Sequence, residues 1–178
     1  MKELNLRALN KNDEVAHTLF ISEMMEADGR IVPTAMEIME SDQLFENWLE
    51  RKSNESKGIG LPEGKVPATL LCLFGEGESK ILGAVHIRHE LNEHLLLHGG
   101  NIGYGVTPSE RKKGYANAML SMALDFCKNL GLDKTLVTCD KDNIGSAKTI
   151  QKNGGVLWDE FVSERDGKLT QRYWISLK

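Results

Sequence analysis

The stretch Gly105 to Leu120, GVTPSERKKGYANAML, constrains the fold more than any other part of the chain. A short apolar segment ends here, Pro108 and the basic run Arg111-Lys112-Lys113 follow, and Gly114 precedes a pattern of helical period. From Ala116 the apolar residues are Ala116, Met119, Leu120, Ala123, Leu124 and Cys127, the spacing of a helix with one side against a core. Asn117, Ser121, Asp125 and Lys128 take the wet side. The helix therefore begins beside Gly114 with its first peptide N–H groups free, and free N–H groups plus the helix dipole attract an anion. Gly114 has no Cβ to hold that anion off the backbone. Three basic residues at a helix N-terminus oppose the dipole by about 0.3–1 kcal/mol each. A solvated basic cap with no anion is the competing reading, and that cost disfavours it. A nest of this kind suits a pyrophosphate.

The remaining segments supply a sheet around this unit. LNLRALN alternates Leu4, Leu6 and Ala8 with polar residues and reads as a strand. Asn12-Asp13 starts a helix whose apolar face is Val15, Leu19 and Phe20, ending near Gly29. Thr34 and Glu37 form a capping box for a second helix, to about Lys52, that buries Phe45, Trp48 and Leu49. Met24, Met25, Met36 and Met39 lie at helical spacing and read as core or cleft lining. SNESKGIGLPEGKVP is a loop; ATLLCLF and ILGAVHIR form a hairpin; NIGYGV is a strand leading to the basic turn. KTLVTC is a strand, IGSAKTIQKN a helix closed by Gly154-Gly155, and the last segment a hairpin turning at Asp166-Gly167. Trp158, Tyr173 and Trp174 pack in that hairpin, unless an exposed tryptophan marks a dimer face. The order β-α-α-β-β-β-α-β-α-β-β predicts an α/β fold, a mixed sheet with helices against it. With 178 residues and no linker or repeat, one domain over residues 1–178 is expected.

A net charge of −4 provides no basic field, so nucleic-acid binding is not expected. No apolar run reaches the roughly 20 residues needed to span a bilayer, and the first residues lack a secretory pattern, so a cytoplasmic protein away from membranes is expected. Cys72, Cys127 and Cys139 fit neither a disulfide framework nor a metal cluster and read as reduced thiols.

Val106 to Ala116, VTPSERKKGYA, resembles the acetyl-CoA signature of the GNAT N-acetyltransferases, a loop of the form Arg/Gln-x-x-Gly-x-Gly/Ala. KTLVTCDKDNIGSAKTIQKNGG is similar to the family's next strand and helix, with Asn143 after the strand and Ser146 three residues on. Within the superfamily, GGNIGYGVTPSERKKGYA and NGG resemble a branch of predicted acetyltransferases of unknown substrate. The resemblance implies a mostly antiparallel central sheet splayed between its two middle strands, with helices on both faces. It implies transfer of acetyl from acetyl-CoA to an amine of a small molecule or peptide, by direct attack in a ternary complex of a monomer or homodimer. Tyr104, Gly105 and Val106 would pair with the pantetheine arm, the Val106 N–H holding the thioester carbonyl and its developing oxyanion. The backbone of Arg111, Lys112, Lys113, Gly114, Tyr115 and Ala116 would hold the pyrophosphate. Asn143 would meet the pantetheine amide, with Ser146 hydrogen-bonding nearby, although Asn143 also suits a plain helix N-cap.

The chain departs from the family where proton transfer is concerned. The tyrosine that protonates the leaving thiolate in many relatives falls at Ile150, and the usual carboxylates fall at Gly100 or Asn101 and at Thr138. An unassisted thiolate is one answer, since a free thiol titrates near ~8.5. A non-catalytic acyl-CoA-binding module is the other. The polar segment HIRHELNEHLLLHGGN offers His86, His89, Glu90, Glu93, His94 and His98. No cysteine or regular helical histidine pair completes a metal site there, so no metal is expected. Glu90 and His94 are the candidate bases, with Asn101 orienting substrate or water.

Overall fold

Strand β2 (Ala68–Gly75) and strand β3 (Ile81–Arg88) are almost continuously apolar and buried, which sets them at the centre of a sheet covered on both faces. The computed structural model describes residues 3–37, 44–164 and 166–178. Its other strands are β1 (Leu4–Arg7), β4 (Ile102–Val106), β5 (Lys134–Asp140), β6 (Gly155–Val162) and β7 (Leu169–Ser176). The helices are α1 (Glu14–Asp28), α2 (Phe45–Ser56), α3 (Glu93–Leu97), α4 (Tyr115–Asn129) and α5 (Ile144–Lys152). The sheet order is β1-β2-β3-β4-β5-β7-β6, antiparallel except between β4 and β5.

Period-two alternation divides β2 between two cores. Leu70, Cys72 and Phe74 pack with Phe20, Met24, Phe45 and Trp48 of α1 and α2. Leu71 and Leu73 join Val85, Ile87 and the α4 residues Met119, Leu120, Ala123 and Cys127 on the other face. Each large apolar side chain so enclosed contributes about 1.5–3 kcal/mol. The helix pattern expected after Gly114 is found, with Met119, Leu120, Ala123 and Cys127 buried.

Three expectations need correction. A capping box between Asn10 and Asp13 closes the turn Lys11–Asp13, and Asp13 is, as expected, the N-cap of the first helix. That helix buries Ala16, His17, Phe20 and Met24, leaving Val15 71 % and Leu19 62 % exposed, because the i, i+4, i+8 row of Ala16, Phe20 and Met24 faces α2 and the sheet. Thr34 and Glu37 do not cap a helix: Thr34–Met36 is one 3₁₀ turn, and the backbone leaves helical geometry at Glu37 (ψ 155). Helix α2 starts at Phe45; the expected helical stretch at 38–43, including Met39, lies outside the described residues. In the final hairpin Tyr173 is buried, whereas Trp158 is exposed on β6 beside Trp174.

Strands β4 and β5 register only at Ile102 and Val137, with one further bridge from Gly100 to Val137. Beyond that point the two middle strands part, so the sheet has the expected splay, with helices on both faces.

Candidate active site

The ladder between β3 and β4 fixes which backbone groups look into the gap. Arg88 N donates to Asn101 O at 2.8 Å and Thr107 N donates to Leu82 O at 3.0 Å. Because an antiparallel ladder alternates, the odd-numbered residues of β4 bond to β3 and the peptide groups of Tyr104 and Val106 turn the other way. There they meet no strand. The Val106 carbonyl accepts Arg111 Nε at 3.3 Å, and its N–H faces the splay. Gly105 is required by a close approach from the opposite face: an added Cβ would lie 2.1 Å from the Val32 carbonyl oxygen.

At the start of α4, Lys112 (φ 63) and Gly114 (φ 89) adopt left-handed backbone. The N–H groups of Lys112, Lys113, Gly114, Tyr115 and Ala116 have no acceptor among the described residues, and an added Cβ on Gly114 would touch nothing within 4 Å. The result is an open row of donors at a helix N-terminus, the shape of an anion nest. The basic run contributes less charge than its sequence suggests. The Arg111 guanidinium forms a two-point pair with Asp28 of α1, one arm at 2.9 Å, which holds the Arg111 side chain above its usual range and the carboxyl below. Lys113 Nζ pairs with Glu110 at 2.8 Å.

Across the gap, Asn143 caps α5, its side-chain oxygen accepting from Ser146 N at 3.1 Å. The Tyr104 hydroxyl lies 3.1 Å from Ser146 Oγ and so bridges β4 to α5. Burial raises the Tyr104 phenol above its usual value, against a smaller opposing effect of the Ser146 contact.

A cleft of about 980 Å³ opens from this wall towards α2 and the loop after it, and Tyr104, Asn143 and Ser146 line it together with His86, Arg88 and Glu55. His86 Nε2 stands 3.5 Å from Glu55 Oε1, an ion-pair distance rather than a formed hydrogen bond, and has no other partner. Lys52 Nζ holds the other Glu55 oxygen at 3.1 Å. Burial would raise the Glu55 carboxyl, but His86 and Lys52 together outweigh it and hold it down at about 2. Burial lowers the His86 imidazole, and Glu55 only partly restores it.

The residues singled out in the sequence are divided by the fold. Tyr104, Asn143 and Ser146 converge on one wall. His94, on α3, lies at the cleft with its ring tilted 54° against that of His98, ring centres 5.3 Å apart. Glu90 is exposed on the loop after β3, away from the cleft wall. Asn101 is 3 % exposed and does not face the cleft: its amide donates to Arg88 O at 3.2 Å and accepts from Leu136 N at 2.8 Å, tying β3, β4 and β5 together. Gly100 cannot carry a side chain, since a Cβ would meet the Leu136 carbonyl oxygen at 2.3 Å. Ile150 is 0 % exposed inside the core. Glu55 and Arg88 were not singled out, and His86 only as one member of the polar segment, although His86 and Arg88 carried a signal: polar residues two apart at the end of the buried strand ILGAVHIR. Among the described residues no cluster could hold a metal ion, and no helix is long and apolar enough to cross a membrane.

A splayed sheet, a nest at a helix N-terminus and a cleft on the far side of the gap together define an acyl-CoA-dependent transferase class. Residues 3–156 match the family described as the acetyltransferase (GNAT) domain. The chain belongs to the GNAT acetyltransferases. A search by sequence among curated proteins finds no match. Among solved structures it is similar to an acetyltransferase of the GNAT family from Streptococcus pneumoniae (17 % identity, 99 % of this chain and 100 % of that one, TM-score 0.68). It is also similar to spermidine N-acetyltransferase from Vibrio cholerae in complex with CoA and spermine (19 %, 98 % and 95 %, TM-score 0.65). A third is a protein from Salmonella typhimurium described as an acetyltransferase and solved with acetyl-CoA (14 %, 98 % and 94 %, TM-score 0.64).

Proposed function

We propose that this chain transfers the acetyl group of acetyl-CoA to an amine, small molecule or peptide, by direct attack in a ternary complex, with His86 as the proton acceptor. The observation that carries the reading is the meeting of the cleft with the splay at Tyr104. His86 and the unpaired edge of β4 share one wall of the cleft, and the donor-rich helix start follows the end of that same strand. Acetyl-CoA would supply an acyl group on a thiol that leaves readily. The residues present fit it: the free N–H row from Lys112 to Ala116 suits its pyrophosphate, the outward peptide groups of Tyr104 and Val106 its pantetheine arm, and Asn143 with Ser146 the far side of the gap.

The chain's own groups divide the proton work. An amine attacks only when neutral. His86 is poorly hydrated, so its ring is neutral at neutral pH and accepts the amine's proton, directly or through one water, while the Glu55 carboxylate beside Nε2 steadies the imidazolium that forms. Assistance of this kind is worth about 10²–10⁴ in rate. Tyr104 Oη, raised by burial, keeps its proton at neutral pH and holds it beside Ser146 at the gap; we assign it the acid role that Ile150 cannot fill. His94 sits at the cleft as a secondary candidate for contact with the acceptor. Three free buried cysteines support a reducing, cytoplasmic setting, and the exposed Trp158 edge is compatible with a homodimer as well as a monomer.

Calorimetry with acetyl-CoA and CoA, combined with thiol release over a panel of amines, tests the reading. Micromolar cofactor binding with amine-dependent release supports it. Binding without release for any amine would favour a non-catalytic acyl-CoA-binding module.

A further inference from the structure

Arg88 ends β3 on the inner wall of the cleft, two residues beyond His86 and on the same face of the sheet. Its guanidinium lies over Gly99 and Gly103, where an added Cβ would come within 3.6 Å and 3.7 Å of Nη1. Nη1 donates to the carbonyls of Gly99 and Gly100 at 3.3 and 3.2 Å. Nε and Nη2 have no acceptor among the described residues, and no carboxylate lies within ion-pair distance. Three acids that line the cleft are already paired. Glu37 is held by Arg51, Lys52 and Trp48, Glu55 by Lys52 and His86, and Asp140 by Lys168. A partly enclosed guanidinium with two unused donor edges and no ion-pair partner thus faces the cleft, with the Glu55 carboxylate acting on it only at longer range, while the other unpaired charges that line the cleft, Arg30, Glu50 and Lys65, are exposed.

Resting on the acetyl-transfer reading, we propose that the acceptor is an amine that also carries an oxyanion, an amino acid or a similar aminocarboxylate, with Arg88 as the residue that binds the anion. The planar fork of an arginine matches a carboxylate or a phosphonate in two parallel hydrogen bonds, and burial strengthens such charge-assisted contacts. Residues two apart on a strand are about 7 Å apart along it. An amine presented to His86 and an anion presented to Arg88 thus suit a molecule with only a few bonds between the two groups.

The test uses the full chain saturated with CoA or acetyl-CoA. The probes are the L-amino acids, their carboxamides, 2-aminoethylphosphonate and spermidine, followed both by calorimetric binding and by thiol release. Carboxylates should bind and react at least about tenfold better than their amides, the effect expected of a charged hydrogen-bonded pair. The phosphonate arm separates general oxyanion recognition from recognition of a carboxylate. Arg88→Gln should raise KM for the carboxylate probes at least about tenfold, leave the amides unchanged and leave acetyl-CoA affinity unchanged; Arg88→Lys should fall between. Equal treatment of acids and amides by the unaltered protein overturns the proposal without recourse to any variant, as does a preference for spermidine. Preferential carboxylate binding with no turnover upholds Arg88 as the anion site and fails the transfer reading instead.

Discussion

His86 Nε2 and Glu55 Oε1 lie 3.5 Å apart across the cleft, joining β3 to α2 at a point where Lys52 already occupies the other carboxylate oxygen. The carboxylate, held at about 2, stays ionised through the whole range in which an imidazole titrates. His86→Asn should lower kcat by at least about tenfold with acetyl-CoA affinity preserved, a floor below the usual range for a general base. The rate of the unaltered enzyme should rise with pH through a pKa below the free imidazole value of ~6.5 and level off at neutral pH. Since Glu55 raises the imidazole, Glu55→Gln should move that acid limb further down. A limb that stays in place in the Gln variant would remove the pair from the mechanism.

Tyr104 gives the second prediction. With its hydroxyl 3.1 Å from Ser146 Oγ at the gap, Tyr104→Phe keeps the ring and removes the proton. An acid for the departing thiol should show as a drop in kcat of about tenfold or more with KM little altered. Ser146→Ala, which leaves the phenol in place, should cost less. If kcat of the Phe variant equals that of the unaltered chain, the thiolate leaves without help.

These residues show where the sequence was legible. The period of α4 and the need for glycine at position 114 are local properties, so they could be read from a dozen residues. The apolar row of α1 could not, because Val15 and Leu19 compete with Ala16, Phe20 and Met24 for one helix, and only the position of α2 decides between them. The partner of Arg111 is Asp28, far back in the chain at the end of α1, so no spacing rule announces it. The candidate base was sought in the polar loop after β3 because polar residues cluster there. The base proposed here, His86, lies on β3 itself, where His86 and Arg88 break an apolar run.

Gly114 carries the third prediction. Its φ of 89 places it where a β-branched residue is strained whatever the surrounding space. Gly114→Val should weaken CoA binding at least about tenfold, because the turn that exposes the N–H row must shift, while Gly114→Asn, which tolerates left-handed backbone, should retain more affinity. Calorimetry on both variants, with thermal unfolding as a check on the fold, decides it. Equal affinity in the valine variant would remove the nest from cofactor binding.

Arg111 is a strut as well as a charge. Its guanidinium joins Asp28 and the Val106 carbonyl, so it fixes the end of α1 to the loop that precedes α4. Arg111→Ala and Asp28→Asn should each weaken CoA binding a few-fold, and the double variant should be no worse than the single ones, since neighbours sharing one contact are not additive. The stability cost should remain small, about 0–1 kcal/mol, because the pair is partly exposed and screened. Independent, additive losses in CoA affinity would show that Arg111 acts on the anion alone.

His17 yields a prediction about stability rather than catalysis. It is 1 % exposed, its ring centre 4.7 Å from that of Trp48 and 5.5 Å from that of Phe45, and its Nε2 has no partner. Burial, opposed weakly by the Met36 backbone and Glu37, lowers its pKa to about 4. In the unfolded chain the same imidazole titrates near ~6.5. Between these values the unfolded state binds more protons than the folded one, so stability is complete above pH ~6.5 and falls as the pH descends towards ~4. At about 1.4 kcal/mol per pKa unit the loss has an upper limit on the order of 3 kcal/mol. His86 is also lowered and adds to the slope in the same direction, so the unaltered protein alone does not isolate His17. His17→Leu, apolar and of similar volume, removes the titration while keeping the contact with Trp48. Urea unfolding at pH 7.5 and pH 5.0 should therefore show a smaller pH loss in the leucine variant than in the parent chain. Parallel losses in the two would mean that the His17 pocket admits the charged ring.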